Sequence, residues 1–271
     1  CKDKTSTTAY EYRLTDGEIS VATGEFTTAA EIALQNGSLD GWDGSSPNAA
    51  TDSKFWDTSN EGAKMGGLTP TQAVTDFVHT QGGKAAKLES GKVDLMGGIF
   101  AAASLYTGSF GSTNIWTQTA TVNFGQSFTA RPIALKGFYK YTPNVINLVK
   151  NVPAGVTIVK DQTLDQCAIY IALAKKTYTI DNGNQSTFID FKNDENIIAY
   201  GELPSGAATE GDGYVEFNIP LKYKNLTDQP THIIVVCSSS KYGDYMTGGA
   251  GSTLYVDDLS LIYDGTPTIW E

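Results

Sequence analysis

The chain has 271 residues, with 19 basic and 30 acidic side chains and a formal net charge of −11. This charge repels phosphate backbones and anionic membrane surfaces, which argues against nucleic acid as a partner. No apolar run approaches the roughly 20 residues of a transmembrane helix, and the 28 glycines, 14 tyrosines and 18% charged residues are typical of a secreted, loop-rich β protein.

The first residues predict a tether. The chain begins "CKDKTSTT", which resembles the start of a mature bacterial lipoprotein, where the sulfur of the first cysteine carries the lipid. The resemblance implies lipidation at Cys1 and a place at the bacterial outer membrane, facing the cell surface or the periplasm, with membrane contact only through the lipid. The alternative is a chain boundary that happens to fall at a cysteine. Residues 1–28 are thus predicted to be a tether with an edge strand at Tyr10–Leu14.

The rest of the chain, 29–271, predicts one all-β domain. Turn signals such as "QNGSLDGWDG", "QGGK", "ESGK" and "DNGNQ" separate short runs with β propensity. The predicted strands are 84–90, 97–106, 119–124, 132–141, 166–174, 196–203, 214–221, 231–238 and 253–263. Only "TPTQAVTDFVHT" suggests a helical turn. This spacing, without a fixed repeat, predicts an antiparallel sandwich of two sheets.

Motifs of common enzymes are absent: the sequence contains no HExxH, no GxSxG and no glycine-rich phosphate loop. His79 and His232 stand far apart and are interpreted as structural. A glycoside hydrolase would need two carboxyl groups about 5 to 9 Å apart, and no pattern pairs any two of the candidates. These candidates are Asp40, Asp43, Asp57, Asp190, Asp194, Glu195, Asp244, Asp257 and Asp258. Cys167 and Cys237 lie in apolar runs, either as buried thiols or as a disulfide.

Aromatic and polar side chains favour sugar binding, because sugar rings have apolar faces and their hydroxyl groups need polar partners. In "RPIALKGFYKYTP" the strand alternation places Lys136 and Lys140 on one face, either the outer surface or the floor of an open groove. The loop "SSSKYGDYMTGGAGST" would form the rim of this groove. The predicted carbohydrate-binding residues are Trp56, Trp116, Lys136, Lys140, Tyr242 and Asp244. An ordinary solvated sheet face is the alternative, and Trp42 and Trp56 fit a role in the core equally well.

Five blocks resemble, in order, a known family. They are "WDTSN" (56–60), "GGIFAAASLYTGSF" (97–110), "GQSFTARPIALKGFYKY" (125–141), "VEFNIPLKY" (215–223) and the long block from 233 to 263. Together they resemble the putative carbohydrate metabolism domain of Bacteroidetes lipoproteins, over about residues 30 to 264. The resemblance implies a jelly-roll sandwich similar to galactose-binding-like folds and carbohydrate-binding modules, and a role in glycan use. It implies no catalytic residues.

Two adjacent carboxylates interrupt the last predicted strand, "LYVDDLSLIY". Both faces of this strand look apolar, so one aspartate would enter the core unless a bulge or a bound cation intervenes. The likeness to carbohydrate-binding modules implies a structural Ca²⁺ held by Asp257, Asp258, Asn36 and Asp40, although those modules usually supply a glutamate where this chain has Leu39 and Asp40. The alternative is a bulge in which one carboxylate accepts N–H groups from the early loop, 34–42.

The combined prediction is a surface lipoprotein that binds a glycan or oligosaccharide, either as a monomer or within a surface glycan-uptake complex. Two alternatives remain at this point: a glycoside hydrolase that uses a pair of loop carboxylates, and a structural or adhesive surface protein without a sugar site.

Overall fold

Short apolar runs between Gly-rich and Asn-rich turns form strands along the whole chain. The computed structural model describes residues 9–27, 30–94, 98–114 and 116–270. Helices are short: α1 (Asn60–Ala63) and the 3-10 helices η1 (Lys64–Gly66), η2 (Gln185–Thr187) and η3 (Gly243–Tyr245). No helix among these described residues is long and apolar enough to cross a bilayer.

Two large sheets carry the fold. The ten-stranded sheet contains β3 (Trp56–Thr58), β8 (Ser104–Asn114), β9 (Thr119–Phe124), β10 (Gln126–Ser127), β12 (Ala168–Ala174), β13 (Tyr178–Asp181), β14 (Ile197–Glu202), β16 (Lys222–Tyr223), β17 (His232–Ser238) and β19 (Thr268–Ile269). The five-stranded sheet contains β4 (Thr71–Val74), β5 (Ala85–Glu89), β11 (Ala134–Thr142), β15 (Val215–Pro220) and β18 (Thr253–Ile262), in the order β15-β11-β18-β5-β4. Among the described residues the paired strands are antiparallel, except β16 with β19. The predicted all-β two-sheet jelly-roll sandwich is confirmed.

Two small hairpins accompany these sheets. One joins β6 (Gly91–Val93) to β7 (Ile99–Ala101). The other joins β1 (Ala9–Asp16) to β2 (Ile19–Thr27). The sequence predicted a single strand at Tyr10–Leu14, whereas the structure pairs it with a second one across a turn in which Gly17 has φ +61°, a conformation that glycine adopts without strain. Cys1 and the rest of the predicted tether before residue 9 lie outside the described residues.

Most predicted elements match observed ones, with two exceptions, one a predicted strand and the other a predicted helical turn. The run 97–106 is not one strand, because β7 ends at Ala101 and β8 begins at Ser104. The run "TPTQAVTDFVHT" forms β4 and a loop instead of a helical turn, since residues 71–74 pair with β5 at the sheet edge. Tertiary pairing therefore overrides the local pattern there.

The ten-stranded sheet is buried on both faces. Alternate residues such as Ile171 and Val235 face the five-stranded sheet and form the main core. Their neighbours, among them Ala172 and Ile234, form a second apolar cluster on the opposite, outer face. Burial on two faces explains why "AIYIALA" and "HIIVVC" are continuous apolar runs and not alternating ones. The outer face carries the site described next.

Candidate functional site

A cavity of about 200 Å³ lies on the outer face of the ten-stranded sheet. Its floor comes from outward-facing strand residues, including Tyr106, Phe124, Tyr170 and Val236. Its walls come from α1 and η1, from β7, from the β8–β9 hairpin and from the η3 loop. The cavity is therefore lined by segments that are far apart in the sequence.

Small side chains leave the space open. Ala101, Ala102, Ala120, Ala168 and Gly243 line the cavity at positions where larger side chains would fill it. Beside the cavity, Phe188, Ile189 and Phe191 pack over the same outer cluster without lining the cavity. The ring of Phe188 also contacts that of Tyr245, at 5.1 Å between centroids, and so connects this segment to η3.

The cavity combines aromatic rings with hydroxyl and amide groups. Phe110 and Tyr170 lie in its lining together with Asn114, Gln118 and Asn182. The amide oxygen of Asn114 accepts the N–H of Trp116, and that of Asn182 accepts the N–H of Ala120. These bonds fix both side chains, and among the described residues no group pairs with their NH₂ donors. Those donors are therefore available to a ligand.

Asp244 and Lys241 are the only charged side chains among the described residues that line the cavity. Asp244 is exposed at the edge of the cavity, and the neighbouring protein atoms raise the pKa of its carboxyl above the ordinary value. Tyr170 lies close enough for its pKa to be raised as well, first by burial and then by the charge of Asp244. The Tyr170 hydroxyl therefore stays protonated at neutral pH.

Of the six predicted sugar-binding residues, Asp244 lines this cavity. Tyr242 directly precedes η3 and is half-buried, which raises its pKa. Trp116 is 88% exposed in the β8–β9 turn, between two residues of the cavity wall, Asn114 and Gln118. These three belong to the neighbourhood of one site.

The prediction for Trp56 was wrong. This residue is 1% exposed and packs in the main core, where its indole N–H donates to the carbonyl of Gln35 at 2.7 Å. It faces inward because β3 pairs with β8 inside the sandwich. A ring enclosed in this way has no free face for a sugar, so Trp56 is a core residue.

Lys136 and Lys140 do not join the cavity either, which corrects the prediction of one shared groove. Both lie on β11 in the five-stranded sheet, facing away from the core that Leu135 and Tyr141 enter. Lys136 forms an ion pair with Glu216 at 2.9 Å. Lys140 donates to the carbonyls of Thr209 and Gly211. The alternation correctly placed both lysines on an outer face, but it could not tell which sheet that face belonged to.

Tyr170, Phe110 and the amides of Asn114 and Asn182 were missed as site residues. The available signal was the unbroken apolar run "AIYIALA", which indicates a strand with two buried faces and therefore a cover over the outer one. That signal identifies a strand with two buried faces, but it does not identify the residues that cover the outer face.

The predicted carboxylate pair lies at a β-bulge. Lys136 of β11 pairs with Ser260 of β18, but Phe138 pairs with Asp257, so β18 holds an extra residue at this point. Asp258 has φ +50° there, a left-handed conformation that aspartate tolerates better than most residues. The bulge reverses the alternation, so that Leu254 and Val256 before it and Leu259 after it all enter the core. Because the alternation shifts at the bulge, a regular alternation drawn through the whole strand places apolar residues on both of its faces.

The two carboxylates hold the loop after β4 against the sheet. Asp257 is 2% exposed and accepts the backbone N–H of His79 at 2.7 Å and of Asp258 at 2.8 Å. Asp258 binds the Nδ1 of His79 at 2.7 Å and the hydroxyl of Thr80 at 2.6 Å. The His79 ring stacks on Phe138, with centroids 3.5 Å apart. The bulge was one of the two predicted alternatives. Its carboxylates bind this loop and not the segment 34–42, whose Gly37 carbonyl accepts the backbone N–H of Leu259 at 2.7 Å.

The four residues predicted to bind calcium do not form one ligand set. The amide oxygen of Asn36 accepts the N–H of Gly41, and Asp40 accepts the N–H of Lys84. Asp257 is occupied by N–H donors, as described above. Among the described residues no group of three or more His, Cys, Asp or Glu side chains could hold a metal ion. This donor set does not fit calcium, and the ion stays a prediction of the sequence, tested in the Discussion.

Cys167 and Cys237 are free, buried thiols, and burial raises the pKa of Cys167 to about 12. Cys237 lies on the inward face of β17, and Cys167, directly before β12, has the same parity as the inward-facing Ile169 and Ile171.

The two tryptophans are expected to respond in opposite ways to substitution. Trp56→Phe loses a buried hydrogen bond and some core volume, which should lower the free energy of unfolding by about 1–3 kcal/mol and leave ligand binding unchanged. Trp116→Ala should leave stability within about 0.5 kcal/mol, because the residue is exposed, and weaken binding. Urea unfolding and calorimetry on both variants check this, and reduced binding by Trp56→Phe at full stability would contradict it.

The antiparallel sheets and the cavity on one sheet face place the chain in the class of β-sandwich domains. The family follows from the sequence match: residues 31–262 match the family model described as "Putative carbohydrate metabolism domain". The chain belongs to this family, which confirms the resemblance of its sequence blocks. No curated protein matches the chain.

Two solved structures with TM-scores above 0.5 share the fold, and a third aligns with a TM-score below 0.5. A putative glycoside hydrolase from Bacteroides thetaiotaomicron aligns with 22% identity and a TM-score of 0.64, over 96% of this chain and 80% of that one. A putative glycoside hydrolase from Bacteroides vulgatus aligns with 25% identity and a TM-score of 0.58, over 79% and 88% respectively. A carbohydrate-binding module solved with β-1,4-galactotriose aligns with 10% identity and a TM-score of 0.31, over 77% and 88%.

Proposed function

We propose that this protein binds glycans in the cavity on the outer face of the ten-stranded sheet. The observation that carries the proposal is the composition of the cavity, which places aromatic rings, free amide donors and one carboxylate around a space of about 200 Å³. Aromatic rings cover the apolar faces of sugars, and a few converging polar groups orient the hydroxyls. Membership of a carbohydrate-related family supports the same ligand class.

The number of carboxyl groups in the cavity lining favours binding over hydrolysis. Glycoside hydrolases generally use two carboxyl groups about 5 to 9.5 Å apart. Asp244 is the sole carboxylate among the described residues of the cavity lining. The relative from Bacteroides vulgatus is titled a putative glycoside hydrolase, so hydrolysis is the alternative that an experiment must address.

We place this binding at the bacterial surface, where it would support glycan uptake or metabolism, with a lipid on Cys1 as the anchor. The support for the anchor is the resemblance of "CKDKTSTT" to lipoprotein starts, and these residues lie outside the described ones.

A glycan array followed by calorimetry tests the proposal. Ala168 is half-buried at the cavity floor, so Ala168→Trp should fill the space and weaken binding at least about tenfold, a loss of about 1.4 kcal/mol. Asn218→Trp is the matched control, because Asn218 is exposed on β15 of the other sheet, and it should bind like the wild type. Silence across a broad array, or equal loss in both variants, would contradict the proposal. Release of reducing ends would establish the hydrolase instead.

A further inference from the structure

The buried part of the cavity lining is apolar. Apart from Tyr106 and Ser240, every buried residue among the described residues of the lining is apolar, including Val93, Phe100, Phe124, Ile180, Val236 and Met246. The hydroxyl of Tyr106 donates to the carbonyl of Thr58 at 3.3 Å, and the hydroxyl of Ser240 donates to the carboxylate of Asp165 at 2.6 Å. Because both hydroxyl groups bond within the protein, the buried side chains offer a ligand mainly apolar contact.

The polar side chains of the lining lie nearer to solvent. Asn114, Lys241 and Asp244 are exposed, and Gln118 and Asn182 are half-buried. The same change occurs along the β8–β9 hairpin, whose exposed tip carries amide groups and whose buried base carries aromatic rings. The lining therefore changes from an apolar floor to a polar rim.

A fully hydroxylated sugar does not match this floor. Aromatic rings alone would fit the flat apolar face of any sugar, but Ile180, Val236 and Met246 add aliphatic groups to the buried lining. A hydroxyl group placed against them would lose its water without gaining a partner, which is unfavourable. A methyl group in the same place would gain free energy from burial.

The volume limits how much of a glycan can enter. The cavity holds about 200 Å³, less than the roughly 300 Å³ at which pockets for drug-sized ligands begin. One terminal sugar with its substituent is therefore the unit that fits.

On these grounds, and resting on the proposed glycan binding, we propose that the cavity selects a terminal sugar that carries a methyl group. The methyl group packs against the apolar floor, and the hydroxyl groups of the sugar face the polar rim. Two kinds of sugar supply this chemistry. In a 6-deoxyhexose the methyl group replaces a hydroxymethyl group, and in an N-acetylhexosamine it belongs to the acetyl group.

Matched pairs of glycans test the inference. Glycans on the array that end in a 6-deoxyhexose or an N-acetylhexosamine are compared, by calorimetry, with the same glycans ending in the corresponding hexose. One of the two kinds should bind at least about tenfold more tightly than its hexose counterpart, because the hexose buries an unpaired hydroxyl. The kind that shows the preference identifies the source of the methyl group. Equal or tighter binding of the hexose in both comparisons overturns the inference.

Two substitutions test the floor itself. Val122 and Val236 both line the cavity, the first half-buried on β9 and the second buried on β17. Threonine keeps the branched shape of valine but adds a hydroxyl group, so Val122→Thr or Val236→Thr should reduce the preference for the methyl-bearing sugar at least about threefold. Val215→Thr is the matched control, because Val215 is exposed on β15 of the other sheet, and it should keep the full preference.

The preference is a ratio of two affinities measured on the same variant, so partial unfolding does not change it, and circular dichroism confirms that each variant is folded. An unchanged preference in both Val122→Thr and Val236→Thr overturns the inference.

The outcomes separate this inference from the proposed function. If the wild type binds the members of each pair equally while Ala168→Trp abolishes the binding of both, the cavity binds glycans and the selection of a methyl group is overturned. A wild type that binds no glycan on the array overturns both proposals.

Discussion

Replacing Asp257 by asparagine is expected to lower the free energy of unfolding by about 2–4 kcal/mol, equally with calcium and with a chelator. One carboxylate oxygen accepts the N–H of His79 and the other accepts the N–H of Asp258. An asparagine side chain would turn its own NH₂ towards one of these donors, leaving a buried N–H without an acceptor. The bulge and the loop that it anchors would both weaken.

Urea unfolding in calcium and in chelator measures this effect. Asp76→Asn provides the control, since Asp76 is exposed in the same loop, and it should cost less than about 0.5 kcal/mol. A bound calcium ion would give a different result. The free energy of unfolding would then rise with the free calcium concentration [L] as RT ln(1 + [L]/Kd), which is about 2.7 kcal/mol at one hundred times Kd. A calcium-dependent wild type whose dependence Asp257→Asn erases would contradict the bulge account and establish the ion.

Replacing Asp165 by alanine is expected to cost about 3–5 kcal/mol. Asp165 is 1% exposed, and one of its carboxylate oxygens accepts bonds from Ser240, Gly249 and Ser252 at 2.6 to 3.0 Å. The hydroxyl of Ser240 also bonds Ser90 at 2.9 Å. This network fixes both ends of the loop that carries η3. Its loss leaves buried N–H groups without acceptors and loosens the wall that holds Asp244.

Ser252→Ala is the graded control for Asp165→Ala, because it removes one bond and keeps the carboxylate, at an expected cost of about 0.5–1.5 kcal/mol. Burial raises the pKa of Asp165, so the folded state binds its proton more readily than the unfolded state. The stability that Asp165 provides therefore decreases as pH rises from about 3.9, the ordinary aspartate value, through the raised folded value. The loss of unfolding free energy caused by Asp165→Ala should therefore be larger below this pH range than at pH 7. Equal losses at the two pH values would contradict a raised pKa for Asp165 in the folded state.

The sequence was sufficient for the fold class because turns and β-prone runs are local signals. β9 was predicted with its observed limits, and the runs that became β11, β12 and β17 were predicted within a few residues. The sequence also showed which face of β11 lies outside the core, because two lysines on one strand face cannot both be buried away from water. The family resemblance then supplied the jelly-roll architecture.

The site could not be predicted to the same degree, because it depends on pairings between distant segments. Parity shows that Lys136 and Tyr170 lie on strand faces, but only the sheet order shows that these faces belong to opposite sheets. The bulge was one of two explanations for the aspartate pair, and the loop around His79, 178 residues away in sequence from Asp257, gave no local sign of being its partner. The prediction that Trp56 binds sugar was wrong because tryptophan occurs both in protein cores and in binding sites, and the sequence alone does not separate the two.

The most direct test of the central claim is a crystal structure of the protein with the best glycan from the array. The account predicts one sugar ring within the cavity, in contact with Tyr170. A glycan bound on the outer face of the five-stranded sheet, near Lys136 and Phe138, with the cavity free of sugar, would contradict it.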